Sequence, residues 1–224
     1  MPQLSGAAAF FDVDETLVTA KTMFSFLEFH LAATGHPPQL YRQARADLQQ
    51  LAARGTARED VNRAYYRLYA GASVAELTRQ GEQWFERQLA DPDFFHPPGV
   101  QALRHHLAAG DQVVLVSGSF FPCLDPIAHH LGAHEALGTP QLIANGHLTG
   151  EVSHPMIGPA KATSARTWAH THGLDPTHCS AYGDHATDLD LLRAVGHPVV
   201  VGTDPLLLAE IASSGGSQLA GVSR

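Results

Sequence analysis

The chain has 224 residues, of which 44% are hydrophobic, and a formal net charge of −8. This length suits a core domain with an inserted module better than two complete domains. The acidic charge balance argues against nucleic-acid binding, which needs a basic surface. No apolar run approaches the roughly 18 residues that a membrane span requires, and no basic-then-apolar leader is present. We therefore expect neither membrane insertion nor a signal peptide.

Two cysteines, Cys123 and Cys179, match no metal-binding or disulfide pattern. Free thiols are typical of proteins in a reducing compartment. We therefore expect a cytoplasmic location.

The first predicted strand, residues 7–11, is a short apolar run that leads directly into two acids. The segment that follows, residues 21–95, has the residue spacing of several amphipathic helices and carries no strand signal. The sequence thus predicts a helical domain, residues 21–95, inserted into an α/β core domain made of residues 1–20 and 96–224.

Three more strands are predicted after the insert, because short apolar runs without alternation are typical of strands covered on both faces. They cover residues 113–116, 180–182 and 199–201. Helical patterns lie between them, so strand and helix alternate as they do in a doubly wound parallel sheet. The segment from Ser213 onward is rich in serine and glycine, and we expect it to be frayed or disordered.

Acids and a hydroxyl follow the ends of three predicted strands. They are Asp12 and Asp14, then Ser117, then Asp184 with Asp188 one helical turn later. These side chains should meet in one crevice, because ligands bind at the carboxyl ends of parallel strands. Like charges packed so closely need a cation between them, and an all-oxygen ligand set indicates Mg²⁺. A Mg²⁺ site with a lysine and a hydroxyl is typical of phosphoryl chemistry.

Lysine is rare in this chain. Of the 14 Lys and Arg residues, only Lys21 and Lys161 are lysines. Arginine serves wherever a generic positive charge is enough, so a retained lysine indicates a place where a compact point charge is wanted. Both lysines are therefore candidate site residues.

Four short segments carry a resemblance to a known family. They are "FDVDETL" from Phe11, "LVSGS" around Ser117, "GPAKATS" around Lys161, and "YGDHATDLDLL" from Tyr182. In this order they resemble the four motifs of the haloacid dehalogenase superfamily. The helical insert lies where the phosphoserine-phosphatase-like branch, subfamily IB, carries its C1 cap. The resemblance spans roughly residues 7–205 and implies a Rossmann-like core.

The resemblance also implies catalytic roles. Asp12 would be the nucleophile that forms an aspartyl-phosphate. Asp14 would be the general acid and then the base, and would also give its backbone carbonyl to Mg²⁺. Lys161 would neutralise the charge of Asp12 and of the phosphoryl group.

The remaining implied residues hold the metal and the substrate. Asp184 and Asp188 would complete the metal site with Asp12 and Asp14. Ser117 and Gly118 would bind the phosphoryl oxygens. His185, inside the fourth motif, is a candidate substrate contact.

One departure from the family pattern concerns the substrate. Phosphoserine phosphatases place a glutamate nine residues after the nucleophile to hold an ammonium group, and this chain has Lys21 there. Lys21 therefore favours a substrate with an anionic or hydroxyl-rich end. A phosphorylated sugar, polyol or other small metabolite fits better than phosphoserine.

The sequence thus predicts a Mg²⁺-dependent phosphatase that acts on a small phosphorylated metabolite as a monomer or homodimer. A phosphotransferase or phosphomutase would share the aspartyl-phosphate. A non-catalytic phosphate-binding or signalling module would also have an acidic Mg²⁺ site. A dehalogenase is disfavoured, because that reaction normally lacks an acid such as Asp14.

Overall fold

The computed structural model describes residues 6–222. Its strands are β1 (Ala8–Phe11), β2 (Gln112–Val116), β3 (Glu135–Leu137), β4 (Gln141–Ala144), β5 (His147–Val152), β6 (Ser180–Gly183), β7 (His197–Val201) and β8 (Ser217–Leu219). Six of them form one sheet in the order β3-β2-β1-β6-β7-β8, and every pair in it is parallel. Strands β4 and β5 form a separate antiparallel hairpin.

Helices alternate with the strands of the main sheet. They are α1 (Thr22–Ala33), α2 (Pro38–Ala53), α3 (Arg58–Arg67), α4 (Val74–Gln88), α5 (Pro97–Ala109), α6 (Phe121–Leu131), α7 (Pro159–Thr171), α8 (Leu189–Leu192) and α9 (Pro205–Ser214). No helix among residues 6–222 has both the length and the apolar character needed to cross a membrane.

The main sheet is covered on both faces, because successive side chains of a strand point to opposite sides. In β1, Ala9 and Phe11 belong to one buried cluster, which includes side chains of α1 to α6. Ala8 and Phe10 belong to a second cluster, with side chains of α7 to α9. This confirms the predicted α/β fold with a doubly wound parallel sheet.

Residues 21–95 contain α1 to α4 and no strand. Their side chains share a buried cluster with the α/β part of the molecule. At the centre of the contact, the fully buried Phe120 ring lies 5.7 Å from that of Phe26, 5.2 Å from Tyr66 and 5.1 Å from Tyr69, between ring centroids. The domain boundaries at residues 20/21 and 95/96 stay a prediction.

The expectation of a frayed C-terminal tail is wrong for its described part. Helix α9 runs to Ser214, Gly215 ends it in a left-handed conformation with φ 83°, and β8 then joins the edge of the sheet. Ser217 pairs with Val199 in this register. The pairing uses backbone groups, so a polar segment can form a strand without any hydrophobic signal.

Candidate active site

The register of the central strands brings the predicted motifs to one edge of the sheet. Phe11, the last residue of β1, lies opposite Leu115 of β2 and Tyr182 of β6. The next residue, Asp12, donates its backbone N–H to the Tyr182 carbonyl at 2.9 Å. Asp12 therefore lies at the carboxyl end of the sheet, where ligands bind in folds of this class.

The Asp12 carboxylate contacts a buried ammonium group. Lys161, in the first turn of α7, donates to Oδ1 of Asp12 and, at 2.6 Å, to Oδ1 of Asp188. Asp12 is 6% exposed, Lys161 4% and Asp188 1%. Burial lowers the pKa of Lys161, but the charges of Asp12 and Asp188 outweigh this effect and raise it above its ordinary value. The group is therefore a fixed positive charge.

Asp12, Asp184 and Asp188 each offer a carboxylate oxygen within 4.8 Å of the others. Burial and the nearby Asp188 charge raise the pKa of Asp184 to about 6, and burial raises the pKa of Asp12 well above its ordinary value. One lysine does not neutralise three acids, and an all-oxygen donor set suits a hard divalent cation. These residues therefore fit the Mg²⁺ that the sequence predicts.

Gly183 permits this arrangement of carboxylates. A Cβ atom at that position would lie 2.5 Å from Cβ of Asp188. Any side chain at position 183 would therefore displace Asp188 from Lys161.

The Asp14 carboxylate has a partner of its own. Both of its oxygens accept a hydrogen bond from the backbone N–H of Thr22, at 3.1 Å each. Burial raises the pKa of Asp14 although the hydrogen bonds from Thr22 lower it. The first residue of α1 thus orients the predicted acid, a contact that the motif spacing did not reveal.

The loop after β2 contains a hydroxyl that is held in place. The Oγ of Ser117 is buried and accepts a hydrogen bond from the backbone N–H of Ser119 at 3.1 Å. Its own proton remains available for an anionic oxygen. The next carbonyl, that of Gly118, accepts from Asn62 Nδ2 at 3.0 Å, Tyr66 Oη at 2.7 Å and Thr139 Oγ1 at 2.9 Å.

A cavity of about 360 Å³ lies between the helical insert and the carboxyl edge of the sheet. The sheet side contributes eight of the candidate residues, namely Asp12, Asp14, Ser117, Gly118, Lys161, Asp184, His185 and Asp188. The insert contributes apolar side chains, the ninth candidate Lys21, and further polar side chains that include Gln49, Arg58 and Asn62. Sequence reasoning missed Arg58 and Asn62.

Two predicted substrate contacts line the cavity but already have protein partners. The ammonium group of Lys21 is exposed and lies 2.5 Å from Oε2 of Glu15. The Nε2 atom of His185 lies 3.2 Å from Nη1 of Arg58. Contact of Lys21 and His185 with substrate stays a prediction, as do the catalytic, phosphate-binding and metal-binding roles of the other site residues.

Comparison with known proteins agrees with this geometry. The family model of haloacid dehalogenase-like hydrolases matches residues 9–193. The chain belongs to this family. The match includes all four motif segments, so the family-based prediction of a phosphatase-type hydrolase is confirmed at this level.

Similar proteins extend over nearly the whole chain. An "Inhibition of morphological differentiation protein" of Streptomyces azureus is 31% identical over 95% of this chain and 77% of its own length. "Phosphoserine phosphatase SerB1" of Mycobacterium tuberculosis is 34% identical over 90% of this chain and 66% of its own. The solved structure of a protein of unknown function from Bordetella pertussis Tohama I superposes with a TM-score of 0.82 at 28% identity, covering 96% of this chain and 99% of the other.

Proposed function

We propose that this protein is a Mg²⁺-dependent phosphatase that hydrolyses a small-molecule phosphomonoester through an aspartyl-phosphate on Asp12. The observation that carries this proposal is the Asp12 carboxylate at the end of β1, in contact with Lys161 and within reach of two further carboxylates. A nucleophile, a fixed cation and a metal-binding donor set thus occur together, as phosphoryl transfer requires.

Hydrolysis proceeds in two steps in this proposal. An oxygen of Asp12 attacks phosphorus, and the bond from phosphorus to the leaving oxygen breaks while Asp14 gives that oxygen its proton. Asp14 then takes a proton from water, whose oxygen attacks phosphorus and releases inorganic phosphate and the Asp12 carboxylate. The raised pKa of Asp14 supports this role, because it increases the fraction that carries a proton.

The charge of the phosphoryl group needs compensation throughout. Lys161 and the hydroxyl of Ser117 lie along the cavity wall with Asp12 and can serve this purpose. Mg²⁺, when bound by Asp12, Asp184 and Asp188, supplies further positive charge for the transferring oxygens.

The cavity supports a small substrate. Its volume of about 360 Å³ lies near the lower end of ligand-binding cavities, roughly 300–1,000 Å³. The similarity to phosphoserine phosphatase SerB1 of Mycobacterium tuberculosis also supports a small phosphorylated substrate. Lys21 is itself a cation, and the Glu15 carboxylate is already paired with it, so this pair does not favour an ammonium group in the substrate. We therefore propose a phosphorylated sugar, polyol or similar metabolite rather than phosphoserine.

Turnover of p-nitrophenyl phosphate tests the reaction. The Asp12→Asn variant should lose at least about a hundredfold in kcat, which corresponds to roughly 3 kcal/mol, because an amide cannot act as the nucleophile. The exposed Asp93→Asn variant is the matched control and should keep wild-type activity. An Asp12→Asn enzyme with more than about a hundredth of the wild-type kcat would contradict covalent catalysis.

The same assay tests the metal. Exhaustive chelation should abolish turnover and added Mg²⁺ should restore it, because the three carboxylates present only hard oxygen donors. Full activity in chelator, or recovery with zinc alone, would refute the proposed cofactor.

A further inference from the structure

Helix α3 places one buried amide in the wall of the cavity. Asn62 is 6% exposed and lines the cavity. Its Nδ2 atom donates to the Gly118 carbonyl at 3.0 Å. Its Oδ1 atom is buried and accepts no hydrogen bond from any residue between 6 and 222. A buried acceptor without a donor is unfavourable in a folded protein.

The orientation of this amide follows from its partners. The Gly118 carbonyl can only accept a hydrogen bond, so the amide atom that faces it must be the NH₂ group. The sulfur of Met23, a weak acceptor 4.0 Å from Nδ2, lies on the same side. Oδ1 is therefore the amide atom that has no hydrogen-bond partner among residues 6–222.

The contact with Gly118 does not by itself explain an asparagine here. A carbonyl oxygen has two lone pairs, and the Gly118 carbonyl also accepts from Tyr66 Oη at 2.7 Å and Thr139 Oγ1 at 2.9 Å. These two hydroxyls are sufficient to satisfy it. The distinctive property of Asn62 is therefore its second polar atom, Oδ1.

The charges around the cavity indicate which donor would reach Oδ1. The insert contributes two cationic side chains to the cavity, Lys21 and Arg58, and these oppose an ammonium group in the substrate. A neutral hydroxyl group is the donor that remains. It would lie close to the phosphoester, because the Asn62 amide contacts the residue that directly follows Ser117.

We propose that Asn62 is a specificity-determining residue that accepts a hydrogen bond from a substrate hydroxyl on the carbon next to the phosphoester carbon. This inference rests on the proposed phosphatase function and narrows its substrates to phosphomonoesters of polyols and sugars. A site whose buried polar atom accepts a hydrogen bond from a substrate hydroxyl disfavours analogues without this hydroxyl, because the buried atom of the protein then has no partner.

The test compares two substrates that differ by one hydroxyl, propane-1,2-diol 1-phosphate and propyl phosphate. The wild type should prefer the diol ester by at least about tenfold in kcat/KM. In Asn62→Leu, similar in size but without polar atoms, the ratio should fall to about twofold or less. Tyr66→Phe is the matched control: it loses a hydrogen bond to the same carbonyl, leaves Oδ1 in place, and should keep the wild-type ratio.

A third variant separates the acceptor from the donor. Asn62→Asp keeps a carboxylate oxygen for the substrate and loses the NH₂ group that holds Gly118, so it should retain the preference while kcat/KM falls for both esters. If Asn62→Leu fails to fold in a melting experiment, Asn62→Ala, which also lacks Oδ1, replaces it and should show the same fall of the ratio.

Other outcomes overturn the inference. A wild-type ratio near one means that no substrate hydroxyl reaches Oδ1. An equal fall of the ratio in Asn62→Leu and Tyr66→Phe means that Asn62 acts only through Gly118. Turnover of p-nitrophenyl phosphate in the same preparations keeps the two proposals apart. If the wild type turns over p-nitrophenyl phosphate but does not distinguish the two esters, only the proposed role of Asn62 is refuted. If it does not turn over p-nitrophenyl phosphate, the phosphatase function is refuted, and the role of Asn62 with it.

Discussion

Replacement of Lys161 by methionine should destabilise the folded protein strongly in the absence of metal. The ammonium group is the shared partner of Asp12 and Asp188, and all three residues are at most 6% exposed. Removing one partner of a buried ion pair costs roughly 3–5 kcal/mol, because the remaining charge stays buried without compensation. Lys161→Met leaves two such carboxylates in contact with no cation.

Thermal unfolding in the presence of chelator measures this cost. At roughly 2–4 °C per kcal/mol for a chain of this size, the melting temperature should fall by about 6–20 °C. The matched control is Lys21→Met, the same change at the other lysine, whose side chain is 49% exposed. Its ion pair with Glu15 should contribute less than about 1 kcal/mol. Added Mg²⁺ should raise the melting temperature of Lys161→Met more than that of the wild type. Equal melting temperatures for the two methionine variants in chelator would refute this reasoning.

The loss of folding stability caused by Lys161→Met should also depend on pH. Burial already raises the pKa of Asp12 well above its ordinary value of 3.8 although Lys161 lowers it, and loss of the ammonium raises that pKa further. A folded-state pKa above the unfolded value means that the folded protein binds the proton more tightly, so acid stabilises the fold. The loss of stability in Lys161→Met relative to the wild type should therefore be largest at alkaline pH and shrink as the pH falls towards 3.8. A deficit that grows on acidification would contradict the assigned ion pair.

Two further substitutions test other parts of the site. Lys21→Glu should raise KM several-fold for the best phosphate ester and change kcat less, with Lys21→Ala intermediate, because uniform binding is lost. Added salt should reduce the effect on KM at this exposed side chain. Identical KM values in the wild type and both variants would exclude the contact between Lys21 and the substrate. Phe120→Ala should lower the free energy of unfolding by about 3–5 kcal/mol, because its fully buried ring packs against the insert. Urea unfolding measures this loss, with the half-exposed Leu206→Ala as control, and a loss no larger than that of the control would mean that the insert does not rest on Phe120.

The site residues that directly follow a strand could be predicted from the sequence. Short apolar runs predict β1, β2 and β6, and the rule that ligands bind at the carboxyl ends of parallel strands predicts that Asp12 and Asp184 lie together. The observed register then brings the ends of all three strands to the same level. This part of the site depends on local pattern and on one topological rule, so it could be predicted.

Strand β8 could not be predicted, because it carries no hydrophobic pattern. Ser217 and Gln218 are exposed, and the strand pairs through backbone groups with the edge of β7. Serine and glycine just before it indicated disorder, and the available strand edge outweighed that local preference.

The contributions of the insert to the site were missed for a different reason. Asn62 looks like an ordinary polar residue of an amphipathic helix until the docking of α3 buries it. A signal does exist in retrospect, since Asn62, Tyr65, Tyr66 and Tyr69 follow the spacing of one buried helical stripe. An asparagine on such a stripe indicates a buried polar contact, but only tertiary structure identifies Gly118 as its partner.

The insert therefore holds both sides of the proposed reaction centre. Thr22 at the start of α1 orients the Asp14 carboxylate, and Asn62 with Tyr66 on α3 fixes the carbonyl that follows Ser117. A substitution in α3 thus acts on the phosphate-binding loop as well as on the substrate. Loss of activity in an Asn62 variant alone would not separate these effects, because both lower kcat/KM. The ratio between two esters does separate them, since displacement of the loop affects both esters while loss of Oδ1 affects only the ester with the hydroxyl.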